Sequence, residues 1–287
     1  MMKILKETNT RKKRRLLHAG QPLSCSLLLF IMVSMLLASC NNATKPVRKP
    51  GQGNDGNATA VIAPDTEARP VQIKTKRLIE DFIPKGWKVI ARSSGDLNGD
   101  GISDDAIVIE DTDPDNFRRQ DGLGADTLNL NPRTLMVFFK HKNGYQLISQ
   151  NDQGFIPTAN DEDSPCLADP LLQDGDLSIK KGLLCIALNY WLSCGSWYVN
   201  SASYKFRYQH NAMELIGFDH TEFHRASGEA SNTSINYITR KKSTTSGGNM
   251  FDEQKNQEET VWSKIHVKAL QRLDDCNAAT YGNILGL

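Results

Sequence analysis

Tyr204-Lys205-Phe206-Arg207-Tyr208-Gln209, followed by His210-Asn211 and then Met213-Glu214-Leu215-Ile216-Gly217-Phe218, is the stretch that decides the fold. Aromatic rings alternate with long polar side chains, a period of two that turns one face of an extended strand inward and the other towards water. His210-Asn211 is placed to turn the chain back, because asparagine tolerates the left-handed backbone that tight turns need. The stripe Tyr204, Phe206 and Tyr208 is expected in a core rather than as a sugar-binding platform.

Working outward, the same signals recur. Ile235 and Tyr237, then Val261, Ser263, Ile265 and Val267, predict the last two strands. Leu177–Ile179 and Leu183–Tyr190 meet at Lys181-Gly182, and Thr134–Lys140 and Tyr145–Gln150 meet at Asn143-Gly144, a strong hairpin signal. Trp87–Ala91 and Ala106–Glu110 flank an acidic, glycine-rich loop. Lys76–Ile83, with Leu78, Ile79, Phe82 and Ile83 on one side and Pro84 and Gly86 behind, predicts a short helix. The expected fold is mainly β (β-rich α+β), with antiparallel sheets forming a sandwich or a curled open sheet and one short N-terminal helix. Residues 74–287 are long enough for a single domain of this kind.

The acidic loop is Gly95-Asp96-Leu97-Asn98-Gly99-Asp100-Gly101-Ile102-Ser103-Asp104-Asp105. Oxygen donors recur at every second residue: Asp96, Asn98, Asp100, the carbonyl of Ile102, and Asp104. Ca2+ takes six to eight hard oxygen ligands, and a tight loop can aim alternate residues at one point. Gly101 supplies the turn. An EF-hand needs a carboxylate at the twelfth position, where this chain has Ile107, so a strand-flanked calcium loop is the expectation. At these residues the segment resembles the calcium loops of integrin-alpha FG-GAP repeats and related bacterial modules, in which the ion is structural and braces a β-hairpin. Asp111, Asp113 and Asp115 begin a similar spacing without its glycine, so a propeller of such repeats is not expected. Phe82–Gly86, Gly95–Gly101, Phe206–Gln209, Leu215–Asp219 and Thr233–Asn236 also resemble uncharacterised bacterial lipoproteins, a likeness that carries architecture and no activity.

The N-terminus carries a different message. Lys3, Lys6 and the run Arg11–Arg15 precede an apolar stretch, Ser26–Ala38, which ends in small residues. That order describes an export signal, and its apolar part is shorter than the roughly 20 residues of a spanning helix. Arg14-Arg15 before Leu16-Leu17 also fits a twin-arginine signal, but such basic pairs are common at the start of ordinary export signals. Leu37-Ala38-Ser39-Cys40 resembles the lipobox of bacterial lipoproteins, which implies cleavage of residues 1–39 and diacylation of Cys40. The family rule for the next residue, here Asn41, implies the outer membrane in a Gram-negative host. A Gram-positive host would leave only the plasma membrane. Residues 40–73, rich in Asn, Thr, Pro and Gly, are expected to be a disordered tether.

Removing 1–39 takes away seven Lys/Arg and one Glu, a net +6, from a chain that is +1 overall, so the remainder is −5. A mildly acidic domain lacks the phosphate-neutralising surface that nucleic-acid binding requires. Cys25 leaves with the signal, and Cys40 carries lipid. Of the four remaining cysteines, Cys166 and Cys194 sit in loop contexts and are the expected disulfide of an oxidising compartment. The pairing of Cys185 and Cys276 stays open.

Other constellations are weak. Asp219-His220-Thr221-Glu222-Phe223-His224 follows a strand and suggests a loop, without metalloprotease spacing. Ser196 in Cys-Gly-Ser-Trp is not a nucleophile elbow. The acids of 161–163 and 174–176 are expected to be solvated. The sequence therefore predicts a lipid-anchored envelope module that is non-catalytic and binds an unnamed protein or glycan partner. The alternative is a hydrolase of envelope polymers, or an inhibitor of one.

Overall fold

Two apolar runs, Ala106–Ile109 and Leu135–Phe139, are buried on both faces and set the middle of the first sheet. The computed structural model describes residues 74–251 and 258–286; the signal segment 1–39, Cys40 and the tether 40–73 lie outside them. In chain order the strands are β1 (Lys74–Lys76), β2 (Trp87–Gly95), β3 (Asp104–Asp111), β4 (Phe117–Arg119), β5 (Thr127–Asn129), β6 (Arg133–His141) and β7 (Gly144–Asn151). They are followed by β8 (Asp176–Lys180), β9 (Leu183–Tyr190), β10 (Tyr198–Gln209), β11 (Ala212–His224), β12 (Glu229–Asn236), β13 (Lys241–Asn249) and β14 (Glu259–Lys264). Among the described residues one α-helix, α1 (Thr280–Leu285), lies near the C-terminus.

The first sheet has the order β1-β7-β6-β3-β2, and the second is a seven-stranded meander from β8 to β14. Every strand pairing is antiparallel, as expected, and β4 and β5 form a separate small hairpin. The decisive stretch behaves as its alternation dictates. Tyr204 and Phe206 of β10 are 1% and 0% exposed, and His210 and Asn211 turn the chain at φ 51° and 59°. Both central turn residues are left-handed, the geometry that matches the twist of a two-residue hairpin.

The sheets share one core. Val108, Val137 and Phe139 of the first sheet join Leu184, Ile186, Tyr204, Phe206 and Phe218 of the second in a single cluster. The opposite face of the first sheet, with Ile107, Ile109, Met136 and Phe138, is capped by Ile79 and Phe82. Because β3 and β6 are covered on both faces, their sequences are continuous apolar runs rather than alternations. At the edges, β2 meets β8: the Ile179 amide donates to Ser93 Oγ at 2.9 Å. A Cβ at Gly95 would meet the Ile179 carbonyl oxygen at 2.9 Å, so only glycine permits this approach.

The expected N-terminal helix Lys76–Ile83 is corrected to a single 3-10 turn, Glu80–Phe82. Lys74–Lys76 is already committed to pairing with β7, and Pro84 ends the turn. One turn of helix fixes many dihedrals for few hydrogen bonds, so packing of Ile79 and Phe82 holds this segment rather than helix propensity. The α-helix lies instead at the other end of the chain, where Gly286 at φ 80° closes it. The last strands also differ. Between β12 and β14 the polar segment Lys241–Asn249 forms β13, and Val261 is 58% exposed, so the alternation there does not mark a core face.

β6 begins with an arginine whose side chain is 1% exposed. Arg133 Nε donates to Glu110 Oε2 on β3 at 2.9 Å, and Nη1 donates to Asp169 Oδ1 at 2.8 Å and to the Pro157 carbonyl at 3.1 Å. Nη2 completes both pairs, at 2.8 Å from Glu110 and 2.5 Å from Asp169. Lys88 and Asn129 satisfy the other oxygen of Glu110, and the amides of Leu171 and Leu172 bond Asp169. Burial works against both carboxylates, yet the Arg133 guanidinium and the other donors hold them below the usual carboxylate range. Arg133→Met is predicted to destabilise the domain by about 3–5 kcal/mol, since the partly buried Asp169 loses its counter-charge and the buried Glu110 keeps only Lys88. In the wild type the contribution of lowered carboxylates is present above their unfolded pKa values and disappears as pH falls through the folded ones. Urea unfolding from pH 3 to 7 tests this: a variant as stable as wild type, with the same acid slope, would refute it.

Candidate functional site

The acidic loop connects β2 to β3 in a hairpin, with Gly95 paired to Asp104 at its base. Gly99 and Gly101, at φ 82° and 81°, curl the chain. Asp96 accepts from the Gly99 amide at 2.7 Å and the Gly101 amide at 2.9 Å, and these bonds hold its carboxyl below the ordinary value. Asn98 Oδ1 accepts from the Asp100 amide at 3.0 Å, and Asp100 Oδ1 from the Ile102 amide at 2.7 Å. Asp104 differs from the rest. It is fully buried, and its two oxygens accept from the Leu97 amide at 2.9 Å and the Lys140 amide on β6 at 3.0 Å. Burial pushes its carboxyl up, the two amides pull it down, and the charges of Asp100 and Asp96 push it up further.

Among the described residues, no three His, Cys, Asp or Glu side chains converge closely enough to share one ion. As described, the loop is closed by its own amides. The donor set nevertheless suits a hard dication in kind: carboxylates of Asp96, Asp100 and Asp104, the amide oxygen of Asn98 and the carbonyl of Ile102, all oxygen. Each bonded carboxylate oxygen keeps a further lone pair. A cation here would also relieve the repulsion that Asp96 and Asp100 impose on Asp104.

A second feature is built by the connection from β7 to β8, residues 152–175, which contains no strand. Loops of this length are uncommon unless they have a role. Arg133 holds the connection at Pro157 and Asp169. The Cys166–Cys194 disulfide, with Cα atoms 5.4 Å apart, ties it to the β9–β10 loop as the loop contexts predicted. Backbone bonds reinforce the junction: Ala168 to Trp191, Ser193 to Cys166 and Asn189 to Pro170. Cys185 and Cys276 are free thiols, the former half-buried and the latter buried, and burial raises both.

Under this connection lies a cleft of about 660 Å³. Phe155, Tyr190, Tyr204 and Tyr281 line it, with Asn160, Asp161, Glu162 and Asp163 among its other lining residues. Phe155 meets Tyr204 edge-on at 4.9 Å, and Tyr190 lies 5.0 Å from Tyr281. Burial raises all three tyrosine hydroxyls, that of Tyr281 to about 12, so they stay protonated near neutrality. Tyr190 and Tyr281 border the cleft half-buried beside the acids 161–163, whereas Phe155 and Tyr204, 4% and 1% exposed, are its buried floor, and the Tyr281 hydroxyl is bonded to His220. The two carboxyls that burial raises, Asp104 and Asp274, are outside its lining.

The remaining sequence candidates separate. His220 and His224 lie on β11, not in a loop, because β11 pairs through its whole length with β10. His220 is 9% exposed and bonds Asn200 at 3.1 Å and Tyr281 at 3.0 Å, and burial lowers it towards the neutral form. His224 instead bonds Ser227. The Ser196 hydroxyl accepts from the Tyr198 amide at 3.0 Å. The acids at 161–163 are exposed, as expected. Sequence reasoning missed Arg133, Glu110 and Asp169; its only available signal was a lone arginine at the border of an apolar run.

Asp104→Asn keeps one acceptor but turns an amide donor towards a backbone N–H. It is predicted to lower stability at pH 7 by about 1–3 kcal/mol, the cost of a buried unpaired group; an unchanged urea midpoint would refute the bracket assigned to Asp104. Comparison of the chain with protein-family models, with curated proteins and with solved structures finds no match.

Proposed function

We propose that this chain is a lipid-anchored protein of the bacterial cell envelope, whose β domain is a non-catalytic binding or structural module braced by Ca2+ at residues 96–104. The observation that carries the reading is Leu37-Ala38-Ser39-Cys40 behind a basic start and an apolar run. The lipid on Cys40 attaches the chain to a membrane, and residues 41–73 tether the domain away from it. In a Gram-negative host that membrane is the outer one. The Cys166–Cys194 disulfide supports an oxidising, exported address.

The binding reading rests on the cleft beneath residues 152–175. Its half-buried Tyr190 and Tyr281 rings and its acidic border suit a polar partner, protein or glycan. The alternative is a hydrolase of envelope polymers or an inhibitor of one; the two carboxyls that burial raises are bonded away from the cleft, Asp104 by backbone amides and Asp274 by Ser149.

Growth of the expressing bacterium with radiolabelled palmitate is expected to label the wild type and not Cys40→Ala; label persisting on that variant would remove the anchor. Calcium has a separate test. Extracellular sites of this kind bind with Kd of about 10⁻⁴–10⁻³ M. Ca2+ at ten times Kd then adds about 1.4 kcal/mol, or roughly 3–5 °C in Tm. Chelator should reverse that shift and Asp96→Ala should abolish it. An identical melt with and without Ca2+ would eliminate the ion.

A further inference from the structure

The sheet edges among the described residues are not treated alike. β1 is three residues long with lysine at both ends, a short and charged edge. β2 and β8 approach each other through Ser93, Gly95 and Ile179. β14 is different: it pairs with β13 along one side, and no described strand pairs with its other side. All six of its residues are exposed, with Val261 and Trp262 at 58% and 67%. An open edge strand that exposes Val261 and Trp262 is a template for another strand.

The sequence of this edge fits its own copy. Two antiparallel strands side by side are related by a two-fold axis normal to the sheet, which keeps the same face up in both copies. Directly opposed residues must share a face. Hence the axis has to pass beside a residue facing itself, and Val261 and Trp262 are the central choices. With Val261 at the axis, Thr260 opposes Trp262, Glu259 opposes Ser263, and Glu258, the residue just before β14, opposes Lys264 at both ends. With Trp262 at the axis, Lys264 opposes Thr260 and the charges find no partners. Within one copy Lys264 already stands opposite Lys241 on β13, a like-charge pair that costs stability. A carboxylate arriving on its open side offsets that cost.

We propose that β14 is a homodimerisation edge, pairing antiparallel with β14 of a second copy about a two-fold axis at Val261, so that one continuous sheet runs through both. The pairing is isologous and closes on itself, leaving no free β14 edge to propagate. It uses neither the lipid nor the calcium loop.

The test uses the full chain purified in detergent. Light scattering is expected to give twice the monomer mass at tens of micromolar. Under mild oxidation, Val261→Cys should form a covalent dimer, because opposed Cα atoms lie within disulfide reach, about 4.5–5.5 Å apart. Ser263→Cys should not, its two copies being offset by about 13 Å along the strands. Wild type, oxidised in parallel, controls for the native thiols. Glu258→Lys should weaken the dimer about tenfold, and adding Lys264→Glu should restore it. A monomeric wild type, equal crosslinking at residues 261 and 263, or failure of the double exchange to restore association would each overturn the proposal.

Discussion

The buried guanidinium of Arg133 is the interaction on which the rest of the architecture depends. It is placed by β6, one of the two strands covered on both faces, so its head group has no route to water. All of its donors face protein oxygen: Glu110 on β3, Asp169 and the Pro157 carbonyl. A charge so buried is tolerated only when paired and hydrogen-bonded. Once it is present, the positions of two carboxylates and one carbonyl are specified, and two of those three groups belong to the connection 152–175.

That constraint explains how a long segment without strands can have a defined shape. Arg133 fixes it to the first sheet, while Cys194 and the backbone bonds around Trp191 fix it to the second. The C-terminal segment repeats the arrangement on its own path. Asn151 donates to the carbonyls of Leu273 and Cys276, each at 2.7 Å, beside the first sheet, and the Leu215 amide of β11 donates to Gln271 at 2.8 Å. The cleft lies between these two fixed segments and owes its form to them.

Local periodicity made most of the sheet legible. The alternation at Tyr204–Gln209, the paired apolar runs and the glycine turns each place a strand where the hydrogen bonds put one. What escaped has physical reasons. β13 is Lys-Lys-Ser-Thr-Thr-Ser-Gly-Gly-Asn, and its pairing with β12 and β14 rests on the backbone, which carries no side-chain period. Leu78, Ile79 and Phe82 have helical spacing, but two of them are inward contacts of a single turn, and Leu78 is 51% exposed. The site was half legible. The spacing of Asp96, Asn98 and Asp100 shows in the chain, and the cysteine contexts point to the disulfide. Arg133 and Asp169 are 36 residues apart, and only the fold brings them together.

The place of the acidic loop in the sandwich gives its chemistry more reach than its size suggests. Gly95, at its start, is where β2 presses on Ile179 of the second sheet. Asp104, at its end, grips the Lys140 amide of β6, while its neighbour Asp105 bonds Arg92 at 2.9 Å and Ser94 at 2.6 Å across the hairpin. The loop's first and last residues are thus fastened to two sheets and three strands, whereas its middle is exposed and held by short-range amide bonds. The charges of Asp96 and Asp100 act against Asp104, the residue whose two oxygens hold the Leu97 amide of the loop and the Lys140 amide of β6.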